Sequence, residues 1–293
     1  MNQSDSHVFK DTSLQQEFEK RGFVRLQILN SDEVKRLLNE YQSLPRPRET
    51  GFHCTMFSPD SDLRKKADRV IKEFLVEKLS HIFLNQKPLY GNFMVKEPGV
   101  ESDWFVHQDW AYVDETQNVS VAVWIPLVDL TEKNGVLCVV PGSHKIPNMV
   151  RGPGVTDPWT DLHQVIKDDL HEKVYLKAGE AIIWHHRLVH FSPPNMSEKP
   201  RVAATVICVP IDAQILHYWQ DPTTKNNLAD AYSVDNEFFM NYTIGSPPLE
   251  VKKQGWASSF FPAIDENQLR LFYARPSASN FTLVKKLKHL LSI

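Results

Sequence analysis

LYGNFMVK (89–96), WFVHQD (104–109), VSVAVWIPLV (119–128) and VLCVV (136–140) open a series of short runs rich in β-branched and aromatic residues. KVYLK (173–177), EAIIW (180–184), LVHFS (188–192) and RVAATVICVP (201–210) complete it. Such residues fit a pleated, half-buried surface, and turn residues separate the runs: Pro141-Gly142-Ser143 in one gap, Gly179 in another. Eight short strands suit a mainly β architecture, a jelly roll whose two antiparallel sheets enclose a cavity. Residues 144–170 form a long connection rich in Pro, Gly and Asp without periodicity; loops of that length in compact domains usually carry function.

Outward from this core, the N-terminal side reads as helical. Residues 14–20 form a short helix; Gly22 then opens a strand with Val24, Leu26 and Ile28 on one face. Asn30 and Glu33 make a capping-box start, with Val34, Leu37, Leu38 and Tyr41 on one helix face, ending before Pro45. Leu63 to Leu79 carries a second amphipathic pattern of about 17 residues. The chain therefore divides into a helical part at 1–86, a jelly-roll core at 87–210 and a C-terminal extension at 211–293, read as one domain. The extension is loop-rich with a final amphipathic helix at 281–291.

At 293 residues the chain can bury a full core, and 42% hydrophobic with 24% charged residues is ordinary globular composition. A net charge of −3 argues against a nucleic-acid partner, which demands a basic excess. The longest apolar stretch, Val202 to Ile211, falls far short of the roughly 20 residues that cross a bilayer, so no membrane partner is expected. The N-terminus lacks signal-peptide character, and Cys54, Cys138 and Cys208 are widely spaced and odd in number. A cytoplasmic protein without disulfides or a cysteine zinc site is the expectation.

The chemistry starts at His107-Gln108-Asp109. On a strand, residues i and i+2 share a face, so an imidazole and a carboxylate converge. A second histidine from a neighbouring strand would complete a 2-His-1-carboxylate facial triad, the arrangement that binds Fe(II) and leaves positions open. Further on, His190, Ser192, Asn195, Ser197 and Arg201 follow one another. A buried arginine there can pair bidentately with the distal carboxylate of a dicarboxylate whose keto-acid end chelates iron. Ser192 shares the face of His190 and can donate to the same carboxylate. His185 and His186 compete for the third ligand position, but only His190 stands two residues before a serine and eleven before an arginine. His144, in a Pro-Gly-Ser-His turn, fits a structural hydrogen bond.

These stretches resemble the phytanoyl-CoA dioxygenase family from residue 16 to about 210. The resemblance rests on Glu17-Phe18 to Leu37, His107-Gln108-Asp109-Trp110, Val123-Trp124 to Asp129, Asn134-Gly135-Val136-Leu137, Pro141-Gly142-Ser143-His144 and the His190 to Arg201 run. It implies a double-stranded β-helix of cupin type, with His107, Asp109 and His190 as iron ligands. It also implies Arg201 and Ser192 as the 2-oxoglutarate clamp, Trp124 lining that pocket, and an upstream strand residue, Asn92 or Lys96, touching the co-substrate. The implied reaction consumes O2 and 2-oxoglutarate, releases succinate and oxidises a small molecule. Because Asp109 is intact, oxygenation rather than halogenation is the expected outcome. The competing classes are a non-catalytic cupin-type binding protein and a zinc hydrolase with the same ligands. Trp110 and Tyr112 border the substrate space or pack the sheet. The basic residues Arg46, Arg48, Arg64, Lys65, Lys66 and Arg69 meet a CoA-linked substrate or form a solvated face. Large aromatics in 144–170 and 211–280, from Trp159 to Phe261, are expected to cover the open end; the alternative is that they pack a subunit interface, as in a homodimer, or coat the sheet exterior.

Overall fold

The fold is a computed structural model in which residues 7–45, 49–146, 149–224 and 226–273 are described. Helix α1 (Thr12–Arg21) starts where the Asp11 carboxylate accepts the Ser13 and Leu14 N–H groups and stops at Gly22, whose φ of 84° is left-handed. Strand β1 (Phe23–Gln27) leads to α2 (Ser31–Ser43), begun by the Asn30/Glu33 capping box that the sequence predicts. β2 (Phe52–Cys54) precedes α3 (Ser61–Ile82), which runs longer than its apolar pattern because Asp60 caps it a half-turn earlier.

Two antiparallel sheets follow. The larger has the order β1-β8-β5-β10-β3-β2, with β3 at Gln86–Lys96, β5 at Val121–Pro126, β8 at Glu180–His185 and β10 at Arg201–Pro210. The smaller has the order β4-β9-β6-β7, with β4 at Trp104–His107, β6 at Leu137–Val139, β7 at Glu172–Val174 and β9 at His190–Ser192. This is the jelly roll predicted from the strand runs, mainly β with flanking helices.

Period-2 alternation assigns each strand residue to a face. Val202, Ala204, Val206 and Cys208 join Leu37, Ile71, Leu75 and Leu79 in a core between the large sheet and the helices. Burying each of those helix leucines stabilises the fold by about 1.5–3 kcal/mol. Ala203 and Ile207 face the other way, into a second cluster with Met94, Trp124 and Trp184 between the sheets. Arg201 and Thr205 share that parity, so two polar side chains of an otherwise apolar strand point inward. β10 is buried throughout, which is why it reads as a continuous apolar run rather than an alternating one.

Beyond Pro210 the structure departs from the loop-rich expectation. β11 (Leu216–Trp219), β12 (Leu228–Ser233) and β13 (Lys253–Ser258) form a third antiparallel sheet, followed by α6 (Glu266–Tyr273), with α5 (Asn236–Asn241) between β12 and β13. Tertiary pairing rather than local pattern makes these strands, since 228–233 and 253–258 carry Asp, Lys, Gln and Gly that propensity alone disfavours. The 144–170 connection likewise holds α4 (His163–Asp169). The helix expected at 281–291 lies outside the described residues, as do Arg46 and Arg48. No helix among the described residues is long and apolar enough to cross a membrane.

Candidate metal and co-substrate site

His107 and His190 are directly paired across β4 and β9, so their side chains leave the small sheet side by side, ring centroids 4.2 Å apart. Asp109 lies just past the end of β4, where its backbone N–H donates to the His186 carbonyl (3.1 Å). The shared strand face expected for His107 and Asp109 is therefore replaced by a strand end and a tied loop, yet the groups still converge. Asp109 Oδ1 lies 3.9 Å from His107 Nε2 and 3.8 Å from His190 Nε2, and the three ligand atoms fall within 4.8 Å of one another.

Backbone carbonyls set the tautomers. His107 Nδ1–H donates to Phe105 O (2.8 Å) and His190 Nδ1–H to Leu188 O (2.9 Å). A carbonyl only accepts, so each Nε2 lone pair faces the centre, as metal ligation requires. Burial, reinforced by His190, pushes the His107 pKa down to about 3, which keeps it an unprotonated donor at neutral pH. Burial alone would raise the Asp109 pKa, but the imidazoles of His190, His186 and His107 and the Trp184 indole outweigh it and hold it below the usual range. Trp184 Nε1–H donates to Asp109 Oδ2 (2.7 Å), leaving Oδ1 for the ion. Two neutral nitrogens and one carboxylate fit a first-row divalent ion at ligand distances of about 2.0–2.2 Å after shifts of a few tenths of an ångström. Trp104 Nε1–H points at His107 Nε2 from 3.3 Å, a long hydrogen bond that an ion would displace.

The inner face of the large sheet supplies the second half. Arg201 is 2% exposed; its Nη1 donates to Gly135 O (2.7 Å), its Nε has no partner, and it makes no ion pair with an acid among the described residues. Burial pushes its pKa down to about 9. Gly135 comes this close because its φ is 80° and a Cβ there would sit 2.6 Å from Pro193 O. Arg201 lies over the Trp124 ring, 5.2 Å from the centroid. Trp124 is opposite Thr205 on β10, and Thr205 opposite Asn92 on β3, so these three form one rung across the sheet. Asn92 Oδ1 and Thr205 Oγ1 are buried without partners. Thr205 escaped the sequence reading because a lone threonine in an apolar strand carries no signal; its rung partners reveal it.

Of the two upstream candidates, Lys96 is already engaged: its Nζ donates to the carbonyls of Ser102, Ser192 (2.8 Å) and Pro193 (2.8 Å). Burial, then Arg201, push its pKa down to about 6, while those carbonyls hold its N–H groups. Ser192 is buried on β9, two residues from His190. The competing histidines are outside the three-ligand cluster, although His186 borders Asp109. His185 stacks on Phe18 (6.0 Å) at the α1 side, beside His144, whose Nε2 contacts Glu19 O (3.2 Å). His186 Nδ1 bonds Ser120 Oγ (2.7 Å), leaving Nε2 buried and unpartnered.

Segments from 144–170 and from beyond Pro210 meet residues 109–113. Ala111 N–H donates to Arg151 O (3.0 Å) and Leu216 N–H to Tyr112 O (2.8 Å), so the 144–170 connection and β11 bracket the segment that follows Asp109. Arg151 also donates to Asp109 O (2.7 Å) and pairs with buried Glu115 (2.7 Å).

The fold is a cupin-like jelly roll, and its His-Asp-His cluster could hold a metal ion. The model of the phytanoyl-CoA dioxygenase (PhyH) family matches residues 18–203, and the chain belongs to that family. An Arabidopsis thaliana protein named phytanoyl-CoA dioxygenase is 33% identical over 190 residues, 55% of this chain and 65% of the relative. Phytanoyl-CoA dioxygenase domain-containing protein 1 of Danio rerio is 32% identical over 126 residues, 40% of this chain and 43% of the relative. The chain thus spans less than two thirds of these relatives' lengths. Among solved structures, the carbocyclase SnoK from nogalamycin biosynthesis superposes with a TM-score of 0.53 at 18% identity, over 70% of this chain and 86% of that one. HygX from Streptomyces hygroscopicus, with nickel, 2-oxoglutarate and hygromycin B bound, gives 0.52 at 15% identity, over 69% and 88%. At these identities the likeness is one of fold.

Proposed function

We propose that the protein is an Fe(II)- and 2-oxoglutarate-dependent dioxygenase that oxidises a small molecule. His107, Asp109 and His190 are the iron ligands in this reading. Arg201, with Ser192, Trp124 and Asn92, receives 2-oxoglutarate. Iron, when bound, supplies activation of O2 coupled to decarboxylation of 2-oxoglutarate to succinate. The observation that carries the reading is Arg201: a buried guanidinium with an unpartnered Nε–H and no acid beside it among the described residues. A buried unpaired charge is costly, and a bidentate carboxylate is the ligand that offsets it. The orphaned groups of Thr205 and Asn92 lie on the rung that carries Trp124, the ring under Arg201. An oxygen and a nitrogen of an amide are exchanged by a flip, so Asn92 can present N–H there, making all three donors suited to an anion.

The chain's residues divide the remaining work. Trp184 keeps Asp109 oriented and ionised, Phe105 O and Leu188 O fix the imidazole tautomers, and the aromatic inner walls exclude water. The intact Asp109 favours oxygenation over halide chemistry. Anaerobic addition of Fe(II) followed by 2-oxoglutarate should give a weak visible charge-transfer band, absent in His190→Ala. A protein that binds the metal yet shows neither the band nor succinate formation would support the zinc reading instead.

A further inference from the structure

We propose that the aromatic cluster around His217, beside the segment that follows Asp109, takes an uncharged, ring-bearing small molecule whose hydroxyl or carbonyl group is hydrogen-bonded by His217. This rests on the oxygenase reading for its purpose, and it names the substrate class of that site. His217 stands on β11 next to Leu216, whose N–H is bonded to Tyr112 O, so it is one strand away from the segment that carries Asp109. Its ring lies 6.2 Å from Trp110, the residue after Asp109, and 5.0, 6.2 and 4.6 Å from Phe238, Phe239 and Tyr242.

At 2% exposure, His217 Nε2 is buried and makes no hydrogen bond. Phenylalanine would pack among the same rings without stranding a polar atom, so the imidazole is a standing cost that a ligand's polar group offsets. Burial pushes its pKa down to about 4, leaving it neutral and able to donate or accept. His186 repeats the pattern independently. Its Nε2 is also buried and unpartnered, and its ring is 5.1 Å from Tyr112, which lies 5.7 Å from Phe239. Two stranded ring nitrogens thus flank one aromatic wall.

Charge selects against an anionic substrate. Around this wall Arg151 is paired with Glu115, Arg64 donates to Tyr242 O (2.8 Å), and Lys65 is paired with Glu237 (3.0 Å). Arg64 and Lys65, two of the six basic residues that could have met a CoA ester, are thereby engaged. Aromatic walls with a few neutral hydrogen-bonding groups select an apolar ring with a polar handle.

The test measures binding of naphthalene, 2-naphthol and 2-naphthoate to the protein, with and without Ni(II) plus 2-oxoglutarate. The naphthol is expected to bind about tenfold more tightly than naphthalene, the increment of one buried hydrogen bond. The naphthoate should bind more weakly than either. His217→Phe should reduce naphthol to the level of naphthalene while leaving naphthalene binding and the 2-oxoglutarate response unchanged. Equal binding of naphthol and naphthalene by the wild type, tightest binding of naphthoate, or a naphthol preference that survives His217→Phe would overturn the inference. The wild-type ranking decides the matter even where the variant does not fold. Absence of any 2-oxoglutarate response would instead sink the oxygenase reading, since the probe series runs without it as well.

Discussion

Replacing Arg201 with methionine separates a co-substrate clamp from a structural arginine, because the two roles predict opposite signs for stability. Burial holds the guanidinium pKa near 9, so keeping its charge inside costs the fold up to about 5 kcal/mol at neutral pH. The sign follows from proton linkage: a depressed folded pKa means that the unfolded chain binds the proton more readily. Stability from this group is therefore withheld at neutral pH and gained only as pH rises past about 9. The one hydrogen bond the side chain makes among the described residues, to Gly135 O, contributes about 1 kcal/mol. Methionine retains most of the stem that packs on Trp124 and loses both terms, which leaves a net gain of roughly 1–3 kcal/mol after incomplete repacking. At about 2–4 °C per kcal/mol, the melting temperature of the ligand-free variant should rise by several degrees. Loss of the charge-assisted pair should simultaneously weaken 2-oxoglutarate by roughly 30- to 5,000-fold, the equivalent of about 2–5 kcal/mol. Differential scanning fluorimetry of the Ni(II)-loaded protein across a 2-oxoglutarate titration reads both effects. A variant that melts lower and still gains stability from 2-oxoglutarate would refute the reasoning.

His107→Ala and His190→Ala should each abolish tight metal binding while leaving the far-ultraviolet circular dichroism spectrum intact; metal retention on dialysis checks this. Metal addition should alter tryptophan fluorescence, because Trp104 donates to a ligand nitrogen and Trp184 to the second oxygen of the ligand carboxylate; unchanged emission on saturation would place the ion elsewhere. Glu115→Gln breaks a buried ion pair that also ties Asp109 O through Arg151, so it should cost about 3–5 kcal/mol in urea unfolding; a loss below 1 kcal/mol would show the pair to be dispensable. Burial depresses His144 to about 3 and His217 to about 4, so the unfolded chain takes up their protons first and stability should fall as pH drops from about 6.5. Each contributes a slope of about 1.4 kcal/mol per pH unit in that window, and His144→Gln should remove one such increment from the urea-unfolding pH profile.

What could be read in advance, and what could not, follows from where the information lies. Periodicity is local, so the helices, the capping box at Asn30 and the strand runs at 89–96 and 201–210 were all legible, and the order of His107, Asp109, His190 and Arg201 along the chain carried the metal and clamp assignments. Strand pairing is not local. The sheet built from β11, β12 and β13 is stabilised by its partners and by the backbone bond from Leu216 to Tyr112, and its residues carry no period that separates them from loop. Thr205 illustrates the same limit within the site. Only the register that sets it opposite Asn92 and Trp124 turns a threonine in an apolar strand into part of a polar rung. His217 adds the corollary for substrate choice. In the proposed reading, the parts within the family match hold the metal and the keto acid, and the segment after Pro210 supplies the wall that meets the substrate. The family match ends at residue 203, so that wall lies beyond it. Substrate selectivity in this chain should therefore move with changes in β11 and α5 while metal and 2-oxoglutarate binding stay constant.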